Sequence, residues 1–128
     1  MAWNNSDLFR KRESKYGARR VEHKGEKFDS VKEFSRYNEL KMLQQAGEIS
    51  GLKRQVKYVL IPKQNDPDTG RLLEREASYV ADFVYKDKKT GETVVEDVKG
   101  YTHSSAYNLF VLKRKLMLQV YGIIVHEV

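Results

Sequence analysis

Residues 79–85, Tyr-Val-Ala-Asp-Phe-Val-Tyr, are apolar apart from one aspartate. A polar loop from Lys86 to Gly91 follows, and the chain turns apolar again through Val94-Val95-Glu96-Asp97-Val98-Lys99-Gly100. Runs of this length, rich in β-branched and aromatic residues and bounded by turn residues, read as strands. The short loop, with Gly91 suited to a left-handed conformation, joins them as an antiparallel hairpin. Any fold open to this chain must therefore build a sheet around that hairpin. It must also accommodate Asp82 and Asp97 inside it, because an ionised carboxylate in an apolar strand is costly unless something pairs with it.

Strand alternation sorts the charges. Thr93, Val95, Asp97 and Lys99 share one face of the second strand, and Val94, Glu96 and Val98 share the other. On the first strand Val80, Asp82 and Val84 lie together. A turn centred between Lys89 and Thr90 sets Asp82 opposite Asp97, with Cβ atoms about 5 Å apart. Two facing carboxylates repel, so one takes up a proton unless a cation lies between them. A Mg²⁺ ion held by one or two carboxylates and several waters suits such a gap. Lys99, next on the same face, can neutralise Asp97 or stabilise negative charge on a phosphate. Glu96 points away and reads as a bystander.

The rest of the chain supplies the layers. Ser30-Val31-Lys32-Glu33 has capping-box spacing, and Asp29 or Ser30 can cap a helix running to about Gln45. Tyr37, Leu40 and Leu43 form its apolar stripe. Glu33 falls about 20° from the centre of that stripe and Glu39 about 100° away. Glu33 therefore points toward the core side, although the capping box gives it a purely structural role as well. Gln55 to Pro62 reads as a strand. Asp66-Pro67-Asp68-Thr69-Gly70 reads as a turn. After Thr102-His103-Ser104-Ser105 a second helix runs to Tyr121 and stops at Gly122. Ile123 to Val128 is a final strand. The expected order is helix, three strands, helix, strand: an α/β domain over residues 29–128 with a mixed central sheet flanked by helices.

Residues 1–28 read as a basic N-terminal arm, with eight Lys/Arg against four Asp/Glu. Residues 99–128 are also basic, while the centre of the chain is slightly acidic. Basic ends around an acidic middle suit a protein that holds phosphates and also binds a cation. Arg10, Lys11, Arg12, Arg19 and Arg20 on the arm are candidate DNA contacts. So are Lys113 and Arg114 in the second helix. With Lys115 these last spread over about 200°, so at most two face one ligand. There is no cysteine, which excludes disulfides and thiolate metal sites. His23, His103 and His126 lack metal-ligand spacing. No apolar run approaches the ~20 residues of a membrane span, and no leader pattern is evident, so a cytoplasmic location is expected.

Asp82 followed by Asp97-Val98-Lys99, with an acid on the first helix, resembles the PD-(D/E)XK nuclease superfamily, whose restriction-endonuclease-like core has the same element order. The span from Phe28 to Val128 further resembles small phage proteins with stretches like Phe28-Asp-Ser-Val-Lys-Glu33, Tyr79-Val-Ala-Asp-Phe83, Val95-Glu-Asp-Val-Lys-Gly100 and Leu112-Lys-Arg-Lys-Leu116. Ala81 stands where the motif's proline would be, as in many members. The resemblance implies Mg²⁺-dependent hydrolysis of DNA phosphodiesters, with Mn²⁺ able to substitute. Asp82, Asp97 and the Val98 carbonyl would hold the metal. Glu33 would hold a second metal or position water, with Glu39 the lesser candidate, and Lys99 would stabilise charge.

Among small phage relatives of this kind, the resemblance points to a homodimeric Holliday-junction-resolving endonuclease acting on branched DNA in the host cytoplasm. Another phage endonuclease (nicking, restriction-like or packaging-associated) and a non-catalytic DNA-binding module on the same fold are the alternatives.

Overall fold

The computed structural model describes residues 12–13, 19–100 and 104–128. In chain order the elements are β1 (Arg12–Glu13), β2 (Arg19–His23), β3 (Glu26–Phe28), α1 (Val31–Gln45), β4 (Ile49–Ile61), β5 (Gln64–Asn65), β6 (Leu72–Glu74), β7 (Ala77–Asp87), β8 (Thr93–Asp97), α2 (Ser105–Tyr121) and β9 (Val125–Glu127). The main sheet has the order β4-β7-β8-β9. Its first two pairings are antiparallel, and β9 runs parallel to β8. The described residues thus form a mixed α/β fold with a mixed four-stranded sheet and two helices. Among the described residues no helix is long and apolar enough to cross a membrane.

Local chemistry explains the element ends. Ser30 caps α1, its Oγ accepting from the Glu33 N–H at 3.0 Å, which satisfies one of the orphan donors of the first turn. Ser104 does the same for α2 through the Tyr107 N–H at 3.1 Å. Gly122 closes α2 at φ 68°, a left-handed cap that carries no Cβ penalty. The β7–β8 hairpin has the register expected from its loop: Phe83 pairs with Glu96, Val84 with Val95 and Tyr85 with Val94. Continuing that register sets Asp82 against Asp97.

Two apolar clusters lie on opposite sides of the sheet. One joins Leu60, Tyr79, Ala81, Val95 and Val125 to Phe110 and Met117 of α2. The other joins Ile49, Phe83 and Tyr85 to Leu40 of α1. Truncating a fully buried Phe83 or Leu40 would cost roughly 2–5 kcal/mol. Tyr79, Ala81, Phe83 and Tyr85 should share a face by strict alternation. They divide between the clusters instead, and the division falls at Asp82. Across from it on β4, Arg54 pairs with Phe83 and Val56 with Ala81, while Gln55 pairs with nothing in the ladder. Gln55 has φ 52°, a left-handed conformation costing about 1–2 kcal/mol for a residue with a Cβ. The sheet therefore changes sides at Gln55 and Asp82.

Three features differ from the sequence reading. The strand β4 begins at Ile49 rather than Gln55. The short β5–β6 hairpin flanks the Asp66–Gly70 turn. The end of the basic arm carries structure of its own: β2 and β3 form a hairpin turned at Lys24 and Gly25, both at positive φ as primed turns require. Its Val21 and Phe28 are buried. Phe28 packs edge-on against Phe34 and beside Tyr37 of α1, with the Arg54 guanidinium 3.8 Å from its ring centre. A few well-placed aromatics thus dock a segment whose mean composition is polar.

Candidate functional site

The acids expected from the sequence border one open cleft of about 750 Å³. Its walls come from the start of α1 (Lys32, Glu33), the middle of β4 and β7 (Gln55, Tyr79, Asp82), the end of β8 (Asp97, Val98, Lys99) and one face of α2 (Phe110, Lys113). Chain-terminal hydrogen bonds fix the β8 end: the Val128 N–H donates to the Asp97 carbonyl at 3.0 Å, and the Lys99 N–H reaches the Val128 carbonyl at 3.4 Å. The Lys32 Nζ donates to the Lys99 carbonyl at 3.0 Å, tying the start of α1 to the same loop.

Asp82 and Asp97 meet here. Burial, followed by the hydrogen bond and charge of Asp97, pushes the Asp82 carboxyl up to about 8. The Val98 N–H opposes this by donating to Asp82 Oδ2 at 2.8 Å. Lys99 Nζ lies 3.2 Å from Asp97 Oδ2 and 4.4 Å from the centre of the Phe110 ring, which holds the ammonium at the mouth of the pair. Tyr79 lines the same wall. Its hydroxyl is buried beside Asp97 without a hydrogen bond of good geometry, and burial with that neighbouring charge raises its pKa far above the usual tyrosine range.

Glu33 is 2% exposed. Its Oε2 accepts from the Asp29 N–H at 3.0 Å, so the carboxylate caps the helix and faces the cleft at once. Burial, then the charge of Asp82, raises it to about 7. It reaches Asp82 through Gln55, whose Nε2 donates to Glu33 Oε1 at 3.1 Å and to Asp82 Oδ1 at 3.2 Å. Glu39 lies elsewhere, its side chain 63% exposed and paired with Arg36. Helical periodicity thus separated the two glutamates as the structure does.

The donor set is all carboxylate oxygen, the chemistry of a hard cation such as Mg²⁺. Among the described residues no three acidic or histidine side chains converge as a cation cage. The Asp82–Asp97 pair does converge, and two carboxylates with waters suffice for Mg²⁺. The unmatched Tyr79 hydroxyl in the same wall adds a donor for an oxygen ligand. The pair therefore fits a hydrated divalent cation, with Glu33 one side chain further out.

The basic candidates separate. Lys113 lines the cleft, whereas Arg114 donates to Glu127 Oε2 at 3.1 Å. Arg20 is exposed on β2. Arg12 and Arg19 are described only as backbone in β1 and β2, and Arg10 and Lys11 lie outside the described residues, as does His103.

Two site features escaped sequence reading. Gln55 carries no charge and sits in an alternating strand, so nothing local marked it. Glu96 is 3% exposed and forms a network of its own on the opposite face. Arg36 grips it with two bonds, Nε to Oε1 at 2.8 Å and Nη2 to Oε2 at 2.7 Å, and the Tyr85 hydroxyl donates to Oε2. Its isolation from the cleft follows from strand alternation, but its partner lies 60 residues away and has no sequence signal.

A mixed α/β domain with an acid–lysine cleft at the end of its hairpin is the class defined by fold and site. Residues 13–125 match the model of a family described as a protein of unknown function, DUF1064, and the chain belongs to that family. No curated protein and no solved structure matches it.

Proposed function

We propose that this protein is a Mg²⁺-dependent endonuclease hydrolysing DNA phosphodiesters on a restriction-endonuclease-like core. Its best-supported role is the cutting of branched DNA as a homodimeric, junction-resolving enzyme of phage. The observation that carries this reading is the hairpin register that sets Asp82 against Asp97, with Lys99 Nζ 3.2 Å from Asp97 Oδ2, on the wall of an open cleft. A structural ion pair needs no second aspartate, and a buried second aspartate is unfavourable without a cation or proton to share.

Asp82 and Asp97, with the Val98 carbonyl, would hold the divalent cation. When bound it would polarise a phosphoryl oxygen and lower the pKa of water. The remaining roles belong to the chain. Lys99 offers an ammonium to the charge that grows on the phosphoryl oxygens, in a partly desolvated cleft where such stabilisation is strong. Glu33, with its carboxyl near 7, can accept a proton from attacking water at neutral pH. Lys32 and Lys113 lie on the cleft wall, where they suit neighbouring phosphates.

Cleavage of a four-way junction, a fork and a linear duplex in Mg²⁺ tests the reading. Symmetric cuts near the junction centre, lost in Asp82→Ala and Asp97→Ala, are expected. Equal cutting of linear duplex would favour a different endonuclease. Binding of every substrate with no cutting of any would favour a non-catalytic module.

A further inference from the structure

Gln55 sits between the helix acid and the strand acid. One nitrogen, Nε2, donates to both carboxylates, at 3.1 Å to Glu33 and 3.2 Å to Asp82. Both neighbours present oxygen acceptors, so the NH₂ end of the amide belongs on this side. The other contacts of Glu33 come from different directions: the Asp29 N–H holds Oε2 at 3.0 Å, and Arg54 Nη2 lies 3.6 Å from Oε1. Gln55 alone among these connects Glu33 to Asp82.

The backbone supplies a second, independent observation. Gln55 holds φ 52° in the middle of a thirteen-residue strand, at the position where the β4–β7 ladder skips a pair opposite Asp82. Non-glycine residues occupy this region rarely, and such strained positions cluster at functional sites, held there by their surroundings.

We propose that Gln55 is a positioning residue that sets the separation of Glu33 from Asp82, so that the helix acid and the strand acids serve one cation and one phosphodiester. The role rests on the nuclease reading above and deepens it. Gln55 itself touches neither cation nor substrate; it acts through the two carboxylates. Partners of this kind behind metal-binding groups typically contribute 10–100-fold to metal affinity or activity.

Gln55→Gly separates side chain from backbone, because glycine accepts a positive φ freely while removing the amide. Gln55→Asn tolerates the same backbone but its amide is one methylene too short to bridge both acids. Three readouts on the full chain decide the matter: thermal midpoint without metal, Mn²⁺ affinity by calorimetry, and kcat and KM for junction cleavage in Mg²⁺. The expected result for Gln55→Gly is a midpoint no lower than that of the unsubstituted protein. Mn²⁺ binding falls roughly 10–100-fold and kcat falls in similar proportion, with KM changed less than about twofold. Gln55→Asn shows the same losses and carries the test should the glycine variant fold poorly. Variants that bind Mn²⁺ and cut like the unsubstituted protein overturn the role of Gln55 and leave the nuclease reading standing. An unsubstituted protein that neither binds Mn²⁺ nor cuts overturns both.

Discussion

Glu96 and Asp97 are consecutive acids on one strand, 3% and 4% exposed, and their surroundings are opposite in kind. Glu96 points toward α1, where Arg36 and Tyr85 satisfy both of its oxygens. The hydrogen bond to Glu96 raises the pKa of Arg36, and burial followed by the hydrogen bond to Glu96 raises that of Tyr85, so the tyrosine stays a neutral donor and the network is closed. Asp97 points toward α2, where it meets another aspartate, a partly exposed lysine and a tyrosine hydroxyl without a well-formed hydrogen bond. One side of the strand is satisfied within the chain, whereas the other sets like charges together, which suits the cation proposed above. Burial alone therefore does not distinguish a fully paired acid from one set against a like charge; the partners do.

The widest expected separation between these sides is in activity. Asp97→Asn should lower Mg²⁺-dependent cleavage by at least ~10³-fold, about 4 kcal/mol of transition-state stabilisation. It should leave the melting temperature unchanged or higher, because a repulsion is removed. Arg36→Ala tests the other side. It strands Glu96 as a buried, unpaired charge and should cost about 3–5 kcal/mol in chemical denaturation, while folded protein keeps its activity. An Arg36 variant of normal stability would show that the Glu96 network is not the closed unit described here.

A smaller effect follows from pH. Asp82 and Glu33 have folded-state pKa values raised to about 8 and about 7, so between about pH 4 and 8 the native state binds more protons than the unfolded chain. Stability from these groups is fully present below their unfolded pKa values and lost as pH rises toward 8. In EDTA the protein should become steadily less stable between pH 5 and 8, and millimolar Mg²⁺ should restore much of the loss at pH 8. Flat stability over that range would contradict the crowding of carboxylates in the cleft. The smallest effect belongs to Glu39→Gln, which removes an exposed pair with Arg36. It should change stability by less than about 0.5 kcal/mol and leave cleavage intact. Glu33→Gln should impair cleavage strongly by comparison.

Much of this contrast was legible in the sequence, and for identifiable reasons. The hairpin loop is short enough that turn chemistry sets the register, so the facing of Asp82 and Asp97 could be read from Lys86–Gly91. Helical period separated Glu33 from Glu39. Strand alternation separated Asp97 from Glu96. What remained hidden depends on long-range choice or on backbone geometry without a residue signature. Arg36 is one of many basic residues, and nothing local assigns it to Glu96. The docking of residues 19–28 rests on Val21 and Phe28, too few apolar positions to form a periodic pattern. Gln55 takes a conformation usually marked by glycine or asparagine, so its bend in β4 had no cue. The face change at Asp82, which splits Tyr79 and Ala81 from Phe83 and Tyr85, was hidden with it.

The most direct test compares Asp97→Asn with Glu96→Gln in junction cleavage with Mg²⁺, at a temperature where circular dichroism shows both variants folded. The account predicts that Asp97→Asn is inactive and that Glu96→Gln, although less stable, cuts at close to the rate of the unsubstituted protein. Loss of cutting in Glu96→Gln with activity retained in Asp97→Asn would contradict it.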